Sequence, residues 1–439
     1  MGAATLGTAP VQPSAVFRFW EKTFQTVRIM SIVVQKFGGT SLADSARIMA
    51  VADRVESTRR VGNDVVVVVS AMGETTDQLV ALAAELSDDP SPREMDMLLS
   101  AGERISMALL AITLNSRGIP AVSFTGSQAG ILTDSSHGSA KILDIQGTRV
   151  RDSLAQGRVV IVAGFQGVDP ESKEVTTLGR GGSDATAVAL AAALGADSVE
   201  IYTDVDGVFT ADPRIVPEAT KLDEVPFDEM LELSAGGTGV LMSRAVEFGR
   251  RFGIPIHVRS SFHDGDGTWV RESTMEQAIV SGIAHDRSEA KLTVNRVPDR
   301  PGVAAALFGS LAEAGVNVDM IVQNVSHDGT TDISFTVPRV HVAEGERISK
   351  QIAVEIGAES VDVDTDIAKV SLVGAGMKTH PGVAARVFEA LSGSGINIEM
   401  ISTSTIRISC VIRGGQVETA VQALHAAFDP PTTFEEVGA

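Results

Sequence analysis

Near its carboxyl end the chain repeats itself. P-G-V-A-A-A-L-F-G-S-L-A-E-A-G-V-N-V-D-M-I begins at Pro301 and P-G-V-A-A-R-V-F-E-A-L-S-G-S-G-I-N-I-E-M-I at Pro381, with eleven of twenty-one paired positions identical. A strand pattern precedes each copy (291–295, 369–373), another follows it (331–337, 406–412), and a second helical pattern comes after that. Each unit can bury its apolar faces only as a sheet covered by two helices, a βαββαβ plan made twice. Gly302 and Gly382 open helices after a turn, where backbone N–H groups can meet a carboxylate. The alternative is a duplicated packing module without a ligand.

Upstream, short β-rich runs alternate with amphipathic helical patterns. Strands are expected at 32–37, 65–71, 159–165, 198–205 and 254–261, and helices at 44–59, 75–86, 93–117, 183–194 and 228–252. The run V-V-V-V-V-S-A is apolar on both faces, as in a central strand of a parallel sheet covered by helices. The expected fold is an α/β/α sandwich, with ligands bound beyond the carboxyl ends of its strands.

The net charge of −20 argues against nucleic-acid or anionic-membrane partners, so an anionic ligand needs local bases and backbone N–H groups. A single cysteine, Cys410, excludes an intrachain disulfide and fits a reducing cytoplasm. No apolar run approaches the ~20 residues of a membrane span. Residues 1–29, ahead of Met30, read as a disordered extension without a signal-peptide core.

Four loops that follow strand patterns concentrate the polar chemistry. They are K-F-G-G-T-S from Lys36, S-A-M-G-E-T-T-D from Ser70, G-F-Q-G with T-L-G-R-G-G-S-D from Gly164, and Y-T-D-V-D-G-V-F-T-A-D-P-R from Tyr202. Singly each is weak: Gly-Gly is a tight turn, Thr75 or Ser183 a helix cap, and Asp206-Gly207 a turn. Together, at one end of one sheet with Lys36, Arg180 and Arg214, they suit a substrate with several negative charges. Metal spacing of His and Cys, a nucleophile elbow and a Walker loop are all missing from the sequence, which argues against a metalloenzyme or serine hydrolase.

With A-G-E-R at Glu103, these motifs resemble in order the signatures of the aspartate kinase family, and the repeats look like its paired ACT modules. The resemblance implies a three-layer α/β/α amino-acid kinase domain at 30–270 and ferredoxin-like ACT modules at 285–364 and 365–439. It implies phosphoryl transfer from ATP, carrying Mg2+, to the side-chain carboxylate of L-aspartate, at the entry to lysine, threonine and methionine synthesis. Lys36 would stabilise the transferring group and Asp184 would orient Lys36. Arg180 would clamp the α-carboxylate and Glu103 receive the ammonium; the rival reading of Glu103 is a solvated position or a partner for Arg104. Thr40, Ser41, Thr75, Thr76, Asp77, Gly181, Gly182 and Ser183 would line the substrate path. Gly38, Gly39, Ser70, Thr203, Asp204, Phe209, Asp212 and Arg214, with Lys36 and Ser183, would hold the nucleotide, and no protein-held metal is expected.

The chain departs from the family at G-T-G-V-L, where Gly239 takes the place of a phosphate-reaching lysine. The open readings are a weaker nucleotide site, compensation by Arg244 or another base, or an amino-acid-sensing paralogue. Another amino-acid kinase acting on a related carboxylate is a further alternative. The resemblance also implies threonine or lysine as effectors, contacting Asp299, Ala304, Gln323 and Asn324 in the first module and Ala384, Asn397 and Ile398 in the second. Asn317 and Asn397 have a rival reading as strand-entry turn residues. Sheet-edge pairing between ACT modules implies a homodimer or larger oligomer.

Overall fold

A computed structural model describes residues 31–272, 279–324 and 329–430. The expected extension at 1–29 lies outside them. The chain begins with β1 (Ile32–Phe37), α1 (Ser45–Arg60), β2 (Asp64–Val69), α2 (Thr75–Leu86) and α3 (Pro92–Ser116). Next come β3 (Ala121–Phe124), the one-turn α4 (Gly126–Ala129), β4 (Ile131–Thr133), β5 (Ile142–Ile145) and α5 (Thr148–Ala155). β6 (Val159–Ala163), β7 (Gln166–Val168), β8 (Val175–Thr177), α6 (Gly182–Leu194) and β9 (Ser198–Thr203) follow. β10 (Glu224–Pro226), α7 (Phe227–Ala235), α8 (Ser243–Phe252), β11 (Ile256–Ser260) and β12 (Thr268–Arg271) complete this part.

Its main sheet has the order β10-β12-β11-β9-β1-β2-β6-β3, parallel throughout except at the β11–β12 pair. The five valines of β2 explain its central place. Val66 and Val68 enter the apolar core on one face, Val65, Val67 and Val69 the core on the other, all 2% exposed or less. Each such side chain contributes about 1.5–3 kcal/mol of burial. Helix α1 starts where the Asp44 carboxylate accepts the Arg47 N–H at 2.9 Å. Helix α3 is long and apolar enough to cross a membrane, yet its Asp96, Ser100, Glu103 and Ser106 are buried within the protein.

Three expectations change. The helical pattern at 228–252 is two helices, because Gly237 and Gly239 take left-handed φ values of 104° and 63° between them. A Cβ on Gly237 would lie 2.2 Å from the His285 carbonyl oxygen, so the chain must pass here as glycine. The short strands β3, β10 and β12 also belong to the main sheet, while β5-β4-β7-β8 form a small sheet of their own. None of these carries a run long enough to announce itself.

The third change concerns the repeats. After β13 (Gly282–Asp286), the first repeat runs β14 (Glu289–Pro298), α9 (Val303–Glu313), β15 (Asp319–Gln323), β16 (Thr330–Pro338), α10 (Val342–Ile356) and β17 (Ser360–Asp364). The second runs β18 (Ile367–Val373), α11 (Val383–Gly393), β19 (Met400–Thr403), β20 (Arg407–Arg413) and α12 (Val417–Phe428). The first builds the sheet β15-β16-β14-β17 from consecutive strands; the second builds β13-β18-β20-β19. Its fourth strand therefore comes from before the first repeat, with Gly282 opposite Val373 and Asp286 opposite Lys369. The first repeat is an insertion in the second, which the consecutive division 285–364 and 365–439 does not capture.

Candidate active site

Four adjacent parallel strands, β9, β1, β2 and β6, end at one edge of the sheet, and the four motif loops leave from there. The loops interlock by close backbone approach. Gly38 N–H donates to the Tyr202 carbonyl at 3.3 Å and Gly73 N–H to the Gly39 carbonyl at 2.9 Å. A Cβ on Gly39 would sit 2.8 Å from the Gly73 oxygen, and one on Gly181 1.9 Å from Met242 Cγ. Glycine at 39 and 181 is thus a packing requirement, and Gly181 also needs its φ of 71° as the residue before α6.

At the centre of this edge the Lys36 ammonium, from β1, lies 2.6 Å from Asp184 Oδ1, from the first turn of α6. The side chains are 12% and 9% exposed. A buried carboxylate held against the ammonium restricts the lysine to one direction. Ser183, beside Asp184, is 7% exposed; Gly182 is buried, and Arg180 is exposed at the mouth.

Glu103 projects from the middle of α3. Gly102 lets this helix approach the second loop, since a Cβ there would meet that of Ala71 at 2.7 Å. Glu103 is 3% exposed, Oε1 accepts the Ala71 N–H at 3.1 Å, and Oε2 is buried with no hydrogen-bond partner. Burial raises its carboxyl pKa to about 7, against the N–H bonds that lower it. Pairing with Arg104 is not seen among the described ion pairs, so the rival reading loses its partner. An orphaned, desolvated carboxylate oxygen suits a cationic ligand group.

The remaining predicted residues separate by accessibility. Thr40 is exposed, whereas Ser41 is 1% exposed with its hydroxyl 2.5 Å from that of Ser261. The Thr75 hydroxyl donates to the Met72 carbonyl at 2.6 Å, securing the start of α2, with Thr76 and exposed Asp77 beside it. Ser70 N–H donates to the Phe37 carbonyl at 3.1 Å, and the residue is half-buried.

Thr203, Asp204, Phe209, Asp212 and Arg214 converge on one cavity of about 480 Å³. Arg214 Nε and Nη2 donate to Asp212 at 3.0 and 2.7 Å, and this pairing holds the aspartate pKa below its usual range. The same cavity is lined by Gly237, Thr238, Gly239 and Val240, the segment where the family lysine was expected, and by Ile283, Ala284 and His285 of β13, which were not foreseen. No motif marks β13, whose proximity follows from its pairing with β18. Arg244 is committed elsewhere, donating to the Leu178 and Ala140 carbonyls at 3.1 and 3.0 Å. It braces the 178–182 loop and does not replace the lysine missing at 239.

The two ACT-type helices begin alike, with Gly302 and Gly382 at φ 98° and 99°. Asp299, Gln323 and Asn324 are exposed and Ala304 half-buried; Ala384 and Asn397 are exposed and Ile398 half-buried.

This edge, a Gly-Gly loop interlocked with its neighbours around a lysine that meets an aspartate at a helix start, defines a phosphotransferase of the amino acid kinase type. The chain belongs to the amino acid kinase family, matched over residues 31–260, and carries ACT domains matched at 292–357 and 370–428. It is similar to the aspartokinase of Mycolicibacterium smegmatis, 58% identical over 91% of this chain and 96% of that protein. The aspartokinase of Pseudomonas aeruginosa is 54% identical over 91% and 98%. Among solved structures, the aspartate kinase of Synechocystis matches at 45% identity and TM-score 0.52, over 92% of this chain and 70% of that one. E. coli aspartokinase III in complex with aspartate and ADP matches at 29% identity and TM-score 0.79, over 91% and 100%. With these relatives the chain is an ATP-dependent kinase of the aspartokinase group.

Proposed function

We propose that the chain transfers the γ-phosphoryl group of ATP to the side-chain carboxylate of L-aspartate, giving 4-phospho-L-aspartate for lysine, threonine and methionine synthesis. The orphaned Oε2 of Glu103 carries this reading, because it offers a buried negative charge to an amino-acid ammonium at the loop edge. Arg180 faces the α-carboxylate from the mouth. Lys36, aimed by Asp184 at 2.6 Å, neutralises charge on the transferring phosphoryl oxygens. The acceptor carboxylate is ionised at neutral pH, so no general base is required. Thr203, Asp204, Phe209, Asp212 and Arg214 hold the nucleotide in the 480 Å³ cavity, and Mg2+ arrives with its phosphates. Threonine or lysine binds at the ACT repeats and inhibits, in a homodimer or larger assembly joined through their sheet edges. E. coli aspartokinase III is solved with lysine and aspartate, which supports an effector of this class.

Hydroxylamine trapping of acyl phosphate tests the reaction, with aspartate, glutamate or N-acetyl-aspartate as acceptor and with threonine and lysine added. Product from aspartate alone, lowered by an effector, is expected; product from glutamate would reassign the substrate. Gly239 favours a second reading as an amino-acid sensor. Thermal stabilisation by threonine or lysine but none by MgATP would select it.

A further inference from the structure

We propose that His425, on α12 of the second repeat, is a positioning residue for the nucleotide site, acting through Thr210. The inference rests on reading the 480 Å³ cavity as the ATP site. Its first wall, the loop after β9, leaves the kinase sheet and enters the second repeat. Ala211 and Val216 share an apolar cluster with Ile283, Val370, Val421 and Leu424. Thr210, fully buried, lies between the cavity residues Phe209 and Ala211.

Every polar atom of Thr210 is engaged. Its N–H donates to the Thr220 carbonyl at 2.9 Å, and its carbonyl accepts the Ile283 N–H of β13 at 2.8 Å. Its hydroxyl accepts the Thr220 N–H at 3.0 Å and lies 3.1 Å from Nε2 of His425. With one lone pair taken by the Thr220 N–H, the hydroxyl has its hydrogen free to donate to Nε2 of an imidazole that carries its proton on Nδ1. His425 is 5% exposed, and burial lowers its pKa, which favours this neutral form. Gln422, one turn earlier, donates to the Ile215 carbonyl at 2.9 Å. Helix α12 thus grips the segment bearing Asp212 and Arg214 on both sides. Through Ile283 the same threonine also fixes β13, the far wall of the cavity. Removing the imidazole leaves a buried hydroxyl without its acceptor at the residue whose backbone ties the two sides of the cavity together.

The test uses the full-length chain, with fluorescent ATP-analogue titration, steady-state kinetics and thermal unfolding. His425→Ala is expected to raise KM for ATP about tenfold, a loss of about 1.4 kcal/mol, with KM for aspartate within about twofold. His425→Gln, whose amide oxygen can accept from Thr210, should recover most of the loss, and it carries the test if the alanine variant fails to fold. Leu424→Ala, in the same core, should lower the unfolding temperature without moving KM for ATP. An unchanged KM for ATP in both His425 variants, equal rises for both substrates, or a rise reproduced by Leu424→Ala would overturn the positioning role while leaving the nucleotide reading intact. A wild-type chain that binds no ATP analogue would overturn both.

Discussion

Glu103 concentrates a conflict between stability and binding in one side chain. Its pKa of about 7 lies above the ordinary 4.5 because burial penalises the charge. The folded state therefore holds a proton that the unfolded state releases, and stability falls as pH rises from about 4.5 to about 7. Across that window the loss is on the order of 3 kcal/mol. Glu103→Gln should thus raise the unfolding temperature of the ligand-free protein at pH 8 and leave it nearly unchanged at pH 5. The same variant should weaken aspartate binding at pH 8, read by titration calorimetry; unaltered affinity would remove Glu103 from the ammonium site. Lys36→Met should lower kcat by about 10²–10³-fold with smaller changes in either KM. Under the proposed assignment of Arg180 to the substrate carboxylate, Arg180→Ala should raise KM for aspartate and spare that for ATP, and equal rises in both would overturn that assignment.

At the scale of elements, the loops are held by glycines whose neighbours leave no room. Gly181→Ala would put a methyl group 1.9 Å from Met242 Cγ at a φ of 71°, a cost of about 2–4 kcal/mol from overpacking and left-handed strain. It should lower the unfolding temperature and raise KM for aspartate together. Gly239 is the opposite case, with only the Gly237 oxygen, at 3.9 Å, near its projected Cβ. Gly239→Lys would have to accept φ 63°, about 1–2 kcal/mol, against a charge-assisted phosphate contact of about 1.5–3 kcal/mol. A few-fold fall in KM for ATP is expected, and a rise would show that the loop cannot present a lysine.

The Gly38-Gly39 loop was legible in sequence because it stands at the end of a strand with a clear apolar run. The Gly181-Gly182 loop, after the three-residue β8, was legible instead from its own glycines and the helical pattern that follows. Helix α3 was legible as a helix, but that Gly102 and Glu103 face Ala71 follows only from how α3 packs back on the loop after β2. The cavity wall of β13 had no local signal at all, since five residues in a foreign sheet are recognisable only by their partners.

Across the whole molecule, the two repeats are joined by crossed ion pairs. Lys369 of β18, 1% exposed at its side chain, meets Glu289 of β14 at 2.6 Å and Asp319 of β15 at 3.0 Å. In return Lys291 of β14 pairs with Glu399, which stands in the second repeat where Asp319 stands in the first. Lys369→Met should strip Glu289 and the half-exposed Asp319 of their buried partner and cost about 3 kcal/mol, measured by denaturant unfolding. A change within experimental error would mean that solvent takes over the pairing. The insertion of one repeat within the other also dictates an order of assembly. β13 leaves the ribosome long before β18, so the guest repeat must be made before the host sheet can pair across it. Because β13 also lines the 480 Å³ cavity, a nascent chain cannot complete that cavity until β18 has emerged to hold β13.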